Sequence, residues 1–230
     1  MLKEPPNWLV SLEAEGLGET KAKILEAAFR RLAAEGYAAL SVREIARDAG
    51  VNHALINYHF RTKDQLVIAV LDEANRQLLA RQRAMYAGHE GFAEKWARAR
   101  QFYRQDLASG FVRVQAELWA ASFSNAGLRE TFAPRILAWK KVVGEAVDSA
   151  LKVLDGCGVR LPPPFTGAVI ATWISDFWIG MEFADLLGPF ERAQHKAALD
   201  AMQALLQDLD ARVEKAAKAK RKPKATPERR

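Results

Sequence analysis

Between Ser41 and Phe60 the chain has twenty residues in which to start a helix, stop it, turn and start another, and no other stretch constrains the fold as tightly. Ser41-Val-Arg-Glu44 has the S-x-x-E spacing of a capping box, where the serine accepts from an exposed amide and the glutamate reaches back. Gly50 stops the two turns that follow, Val51 and Asn52 bend the chain, and a second two-turn helix runs to Phe60. That is the spacing of a helix-turn-helix. Ile56 and Phe60 are four apart and face inward with Val51, which leaves His53, Ala54, Asn57 and Tyr58 on the outer side. Asn52, His53, Asn57, Tyr58 and His59 are poor helix builders beside Ala or Leu, so propensity does not account for them. Hydrogen bonds made outside the fold do.

Those side chains suit a DNA duplex. Asn pairs bidentately with an adenine edge, His donates or accepts at a base or phosphate, and Ala54 lets the helix sit deep in the major groove. Tyr58 and His59, toward the C-terminal end, can reach flanking phosphates, and Ser41, Arg43, Arg47 and Lys63 add backbone contacts that set register without reading sequence.

The run SVREIARDAGVNHALINYHFRTKDQL resembles the DNA-binding signature of TetR-type transcriptional repressors, with its Tyr-His-Phe ending and the Lys63 that opens the next helix. The likeness covers about residues 20–70, and the rest of the chain is similar in length and helix order. It implies that Asn52, His53, Ala54, Asn57, Tyr58, His59 and Lys63 take positions that touch DNA in that family, and that Ser41 takes a phosphate-binding helix start. Three features depart from the pattern. Leu55 stands where a small polar residue is common, and either packs inward or touches a thymine methyl. Asn57 precedes Tyr58 where two aromatics are frequent. Residues 1–19 carry one Lys against four Glu, whereas arms that enter the minor groove are basic; this arm is expected to avoid DNA, docking Trp8, Leu9 and Val10 on the body.

The fold class expected is all-α. Apolar residues recur at three and four positions, and no alternating β run or Asn-Gly hairpin competes. Four parts are expected: an arm at 1–19, a three-helix helix-turn-helix domain at 20–66, a larger ligand-binding and dimerisation domain at 67–213, and a basic disordered tail at 214–230. The first helix ends at Gly36; Thr62-Lys-Asp-Gln65 caps a long helix from Leu66 to Met85. Further helices lie at about 92–108, 111–124, 128–154, 166–187 and 190–215, with Pro134 opening or kinking the third of these.

Charge is concentrated at one end. From Ala211 to Arg230 there are nine Lys or Arg against two Glu, while the remainder holds 25 basic and 26 acidic residues, so the net +6 belongs to the tail. The tail either adds phosphate attraction or solubilises the end. The first ten residues lack an apolar run that would make a secretion signal, and no stretch reaches the ~20 apolar residues of a membrane span, so a cytoplasmic protein is expected. Cys157 reads as a loop thiol. His53 and His59 are six apart and do not share a face as a metal pair would, so no metal and no cofactor are expected. No catalytic Ser-His-Asp, paired-carboxylate or phosphate-loop pattern is in place, so no enzyme is expected.

The second half reads as a sensor. Trp96, Tyr103, Trp119, Phe123, Trp139, Trp173, Asp176, Phe177 and Met181 are the candidate ligand-binding residues, chosen because so many aromatics on helices favour a roomy apolar pocket. Asp176 and Glu182 interrupt the apolar run VIATWISDFWIGMEFADLL: each either faces solvent, pairs with Arg104, Arg113 or Arg135, or serves as counter-ion to a cationic ligand. Glu117 has the same ambiguity. The last two long helices, with Ala197, Ala201, Leu205 and Leu209 on one stripe, carry more apolar surface than a monomer needs; in the family resembled they form a four-helix dimer contact, which sets two recognition helices about 34 Å apart. The expected function is a homodimeric, TetR-like repressor that binds a palindromic double-stranded DNA operator and is released by a small hydrophobic effector. A protein of the same fold acting through a protein partner, or a helical enzyme, are the alternatives.

Overall fold

The computed structural model describes residues 18–188 and 192–221. Among these are nine helices and no strand: α1 (Glu19–Ala39), α2 (Val42–Asp48), α3 (His53–Phe60), α4 (Lys63–Ala87), α5 (Phe92–Ser109), α6 (Phe111–Ser124), α7 (Ala126–Gly156), α8 (Gly167–Leu187) and α9 (Arg192–Arg221). The expected docking of Trp8, Leu9 and Val10 and the last nine residues of the tail lie outside the described residues.

Helix starts follow the local chemistry in most places. Thr62 Oγ1 accepts from Gln65 N at 3.1 Å, Asn125 Oδ1 from Leu128 N at 3.0 Å and Thr166 Oγ1 from Val169 N at 3.3 Å. Ser41 is the exception. It stands at the N-cap of α2 but its side chain makes no capping bond, and Glu44 turns away to accept from Arg31 Nη1 at 2.7 Å. A charge-assisted bond to a guanidinium outcompetes the neutral amide, so the capping box expected here does not close. Arg31 also binds Asp48 at 2.6 Å and Glu35 at 2.9 Å, tying α1 to both ends of α2.

Three other expectations change. Gly36 does not end α1: its φ of 82° and ψ of 172° kink the helix, which resumes to Ala39. Pro134 lies inside α7, which begins eight residues earlier at Ala126. The stretch beyond Val213, expected to be disordered, is helical through Arg221, because Ala and Lys are strong helix formers and Lys218 pairs with Glu214 one turn back. Lys220 Nζ also donates to the Gly156 carbonyl at 2.6 Å, holding this end against the close of α7.

The largest apolar cluster joins the first helices to the rest. Ile24, Leu25, Phe29 and Leu32 of α1 pack with Ile45, Ile56 and Phe60, with Leu66, Val67 and Val70 of α4, and with Val114 and Leu118 of α6. The boundary drawn at 66/67 therefore falls inside α4, and packed side chains cross it. Beyond it, α7 lies along α8, α9 packs on α5, and α4, α5, α6, α7 and α8 surround an internal cavity.

Candidate nucleic-acid interface and internal cavity

Helix α3 stands out from the body. Ile56 and Phe60 are its buried residues, and Asn52, His53, Ala54, Leu55, Asn57, Tyr58 and His59 are all exposed, Tyr58 to 80%. Leu55 therefore points outward, at 40% exposure. Asn52 has a task within the fold: its Oδ1 accepts from Ala54 N at 2.8 Å as the N-cap, which leaves the amide nitrogen for an outside partner. His53 Nδ1 lies 3.5 Å from Asn57 Nδ2, and the His59 ring meets Tyr58 edge-on at 5.2 Å. Arg43 and Arg47 are exposed on α2, and Arg61 follows α3 at a φ of 55°. Ser41, with no capping bond, keeps its hydroxyl available beside them.

Lys63 is held by the body. Its Nζ sits 4.5 Å above the Tyr37 ring, the Tyr37 hydroxyl donates to Asp64, and the Tyr37 backbone amide donates to Glu117 Oε2 of α6 at 3.2 Å. Burial, then the bond to Asp64, pushes the Tyr37 hydroxyl up to about 12, so it remains a proton donor. Glu117, ambiguous in the sequence, is thus the far end of a chain of contacts from α6 through the kinked end of α1 to the start of α4.

The cavity has about 60 Å³ open to the centre of a water molecule. One water needs ~10–15 Å³ on that measure, so this is room for about four to six. Of the nine candidate ligand residues, Tyr103, Trp119 and Trp139 are in its wall. Trp119 meets Phe132 at 5.9 Å and Phe183 at 5.5 Å, both edge-on, and Trp139 Nε1 donates to Gln82 Oε1 at 2.9 Å. The others lie elsewhere. Trp96 packs against Trp178 and donates to the Leu199 carbonyl, Met181 is buried beside them, Phe123, Trp173 and Phe177 are exposed, and Asp176 pairs with Lys140 at the surface. Periodicity places an aromatic on a helix but does not say which side of that helix another helix will cover.

Charged wall residues come from three helices. Asp106 of α5 is 8% exposed and is bound by Arg81 of α4, whose guanidinium carbon also lies 4.7 Å over the Phe102 ring. Arg135 of α7 is bound to Asp72. Glu182 of α8 has no hydrogen bond or ion pair among the described residues, and its accessible surface faces the cavity. Burial, with the Asp106 charge adding to it and Arg81 subtracting, pushes its carboxyl up to about 8. Arg81 and Asp106 were missed by the sequence reading: each looks like an ordinary charge on an amphipathic helix.

The raised Glu182 acidity has a consequence for stability. An unfolded glutamate titrates near 4.3, so the folded state binds the proton more tightly, and the associated stability is present below that value and lost as pH rises from there through about 8. Glu182→Gln mimics the neutral acid. Its urea midpoint should match the parent near pH 4 and exceed it increasingly toward pH 8.5; equal midpoints at both pH values would show that Glu182 is not held neutral.

Residues 24–70 match the family model described as "Bacterial regulatory proteins, tetR family". An HTH-type transcriptional repressor of Mycobacterium tuberculosis is 51% identical over 63 residues, which is 27% of this chain and 34% of the relative, so the matched stretch spans about a third of its length. Among solved structures, a TetR-family transcriptional regulator from Rhodococcus sp. superimposes with a TM-score of 0.65 at 19% identity, over 83% of this chain and 99% of the other. A transcriptional regulator from Saccharomonospora viridis in complex with choline does so at 0.63 and 22%, over 83% and 94%. Residues 24–70 thus match the helix-turn-helix domain of the TetR family of bacterial regulatory proteins, on a chain with the all-helical fold of solved TetR-family regulators.

Proposed function

We propose that the protein is a homodimeric transcriptional repressor that reads a pseudo-palindromic operator with α3 and is released when a small molecule occupies the cavity. The observation that carries this reading is the outer flank of α3: five polar side chains, from Asn52 to His59, stand exposed on a helix whose other face is anchored by Ile56 and Phe60. Arg43, Arg47 and Lys63 flank it as phosphate contacts, Ser41 adds a hydroxyl, and Ala54 and Leu55 offer an apolar surface to thymine methyls.

The lever is α4. Its first residue, Lys63, lies beside α3, and its later turns carry Leu71, Asn75, Leu78 and Gln82 into the cavity wall. An occupant that favours one position of α4 over another shifts the recognition helix by that difference in affinity and by no more. One neighbour of the fold was solved in complex with choline, so small-ligand binding is compatible with the architecture.

Dimerisation follows from apolar surface left open. Trp173, Phe177 and Leu187 on one face of α8 are 58%, 39% and 80% exposed, and Met202 and Leu205 of α9 are exposed with Ala197 and Ala201. Helices α8 and α9 are the last two long helices, and a two-fold pairing through them would set two α3 helices on successive major grooves, about 34 Å apart. Operator selection from random duplex DNA, followed by anisotropy titration, tests the DNA reading; failure to enrich any sequence would refute it. Phe177→Glu with Leu205→Glu should convert the protein to monomer in sedimentation equilibrium and weaken operator binding more than tenfold, whereas a dimer that persists places the interface elsewhere.

A further inference from the structure

We propose that the cavity takes a small organic cation, an ammonium group with Glu182 as counter-ion and the indole and phenyl faces of the wall around it; this rests on reading the cavity as the effector site. The case is one of charge and shape. Asp106, Glu182 and Arg135 are in the wall and Arg81 lies against it: Arg81 is bound to Asp106, Arg135 reaches out to Asp72, an exposed carboxylate outside the wall, and Glu182 has no hydrogen bond or ion pair among the described residues. A lone buried carboxylate either keeps its proton or gains a cation. The nearest cation, the Arg81 guanidinium, makes no ion pair with Glu182: it is bound to Asp106 and lies over Phe102, and its charge only partly offsets the burial of Glu182.

The rest of the wall suits that charge. Trp119, Trp139, Trp178 and Phe183 border the space along with Glu182, and aromatic faces attract cations most strongly where water is excluded. Phe102 already carries a guanidinium at 4.7 Å, so the wall shows the contact once within the protein. Size restricts the class further. Room for about five waters, at ~30 Å³ of liquid volume each, fits a compact ammonium and excludes a long acyl chain unless the helices part. This reading takes up the cationic ligand that the sequence offers as one alternative for Glu182, alongside the small hydrophobic effector expected for the cavity. Arg81 and Arg135 are the competing features, because the Nε of each is buried without a partner and would suit an oxygen acceptor or an anion.

The groups that face Glu182 are Asp106 and Tyr103 from α5, Arg81 from α4 and Arg135 from α7. Seating a cation requires Glu182 to release its proton, so the apparent affinity should rise by close to tenfold per pH unit between about pH 6 and 7.5 and level off above about 8. The same titration in buffers of different ionisation enthalpy should register about one proton released per site at pH 6.5.

The experiment compares three probes of one shape by calorimetry on the full chain: choline, its uncharged carbon isostere dimethylbutanol, and the matching carboxylate dimethylbutanoate. The cation should bind tightest, and Glu182→Gln should weaken it about 30-fold or more while leaving the alcohol within threefold. Trp119→Leu, which keeps the charge and removes a ring face, should weaken the cation about tenfold and the alcohol less. Equal binding of cation and alcohol, tighter binding of the carboxylate, cation affinity indifferent to Glu182→Gln, or no binding by any probe would each overturn the proposal. Operator titration of the same preparations separates the two readings: DNA binding with no cation binding leaves the repressor reading standing and removes this one, and cation binding with no DNA binding does the reverse.

Discussion

Replacing Tyr58 and Lys63 together by alanine is expected to weaken operator binding at least about a hundredfold, with the dimer and the fold intact. Each lost contact to a base edge or its flanking phosphate is worth roughly 1–3 kcal/mol, and the four lost from the two protomers, about 4–12 kcal/mol together, exceed the ~2.7 kcal/mol that a hundredfold loss requires. The fold should hardly notice. Tyr58 is 80% exposed, and its one ring contact within the chain is to His59, itself exposed. Lys63 gives up a cation–π contact to Tyr37, worth about 0.5–1 kcal/mol at a site this open, which in a domain of this size moves Tm by no more than roughly 2–4 °C. Loss of one phosphate contact in each protomer should also flatten the salt dependence of binding by about two units of slope. Parent-like affinity in the double variant, measured by anisotropy, would remove α3 as the reading helix.

Gly36→Ala is the second large effect, on stability first and on DNA binding through it. A residue with φ of 82° and ψ of 172° is in a region that only glycine occupies without strain, and forcing a side chain there costs about 1–3 kcal/mol. The added Cβ would also lie 2.5 Å from Glu117 Oε2, the oxygen that accepts from the Tyr37 amide. Glu117 must withdraw, and an orphaned amide adds roughly 1–3 kcal/mol. The sum, about 2–6 kcal/mol, predicts a Tm lowered by roughly 4–24 °C in calorimetry. Tyr37 is also the platform for Lys63 and the donor to Asp64, so the displaced turn should disturb the entry to α4 and reduce operator affinity severalfold. Glu117→Ala alone loses the amide's partner without backbone strain and should cost about 1–3 kcal/mol. In Gly36→Ala with Glu117→Ala the clash disappears, so the two effects should be less than additive. A Gly36→Ala protein as stable as its parent would show that the kink relaxes without cost.

What was legible in the sequence was whatever depends on neighbours within a turn or two. The helix break at Gly50, the cap at Thr62 and the inward pair Ile56 and Phe60 follow from spacing and local hydrogen bonding, and the structure has them where spacing puts them. Even at that range a distant partner could intervene. Ser41 and Glu44 have the capping-box spacing, yet Arg31, more than ten residues away, offers Glu44 a stronger bond.

The candidate cavity residues divide along the same line. Trp119 and Trp173 look alike as aromatics on apolar helices, but one is edge-on to Phe132 and Phe183 in the wall and the other is more than half exposed. Glu182 and Asp176 lie in the same apolar run. Asp176 meets Lys140 at the surface, and Glu182 meets an empty space with no counter-charge of its own.

By itself, then, the sequence determined the helical class, the helix-turn-helix and the outward face of α3, since helical period and capping act over a few residues along one segment. Only the tertiary structure decided which aromatics enclose the cavity, which carboxylate is left without a partner and how Glu117 reaches the kink at Gly36. Those outcomes depend on crossing helices brought together from distant parts of the chain, and a crossing is set by packing between faces that no local pattern encodes.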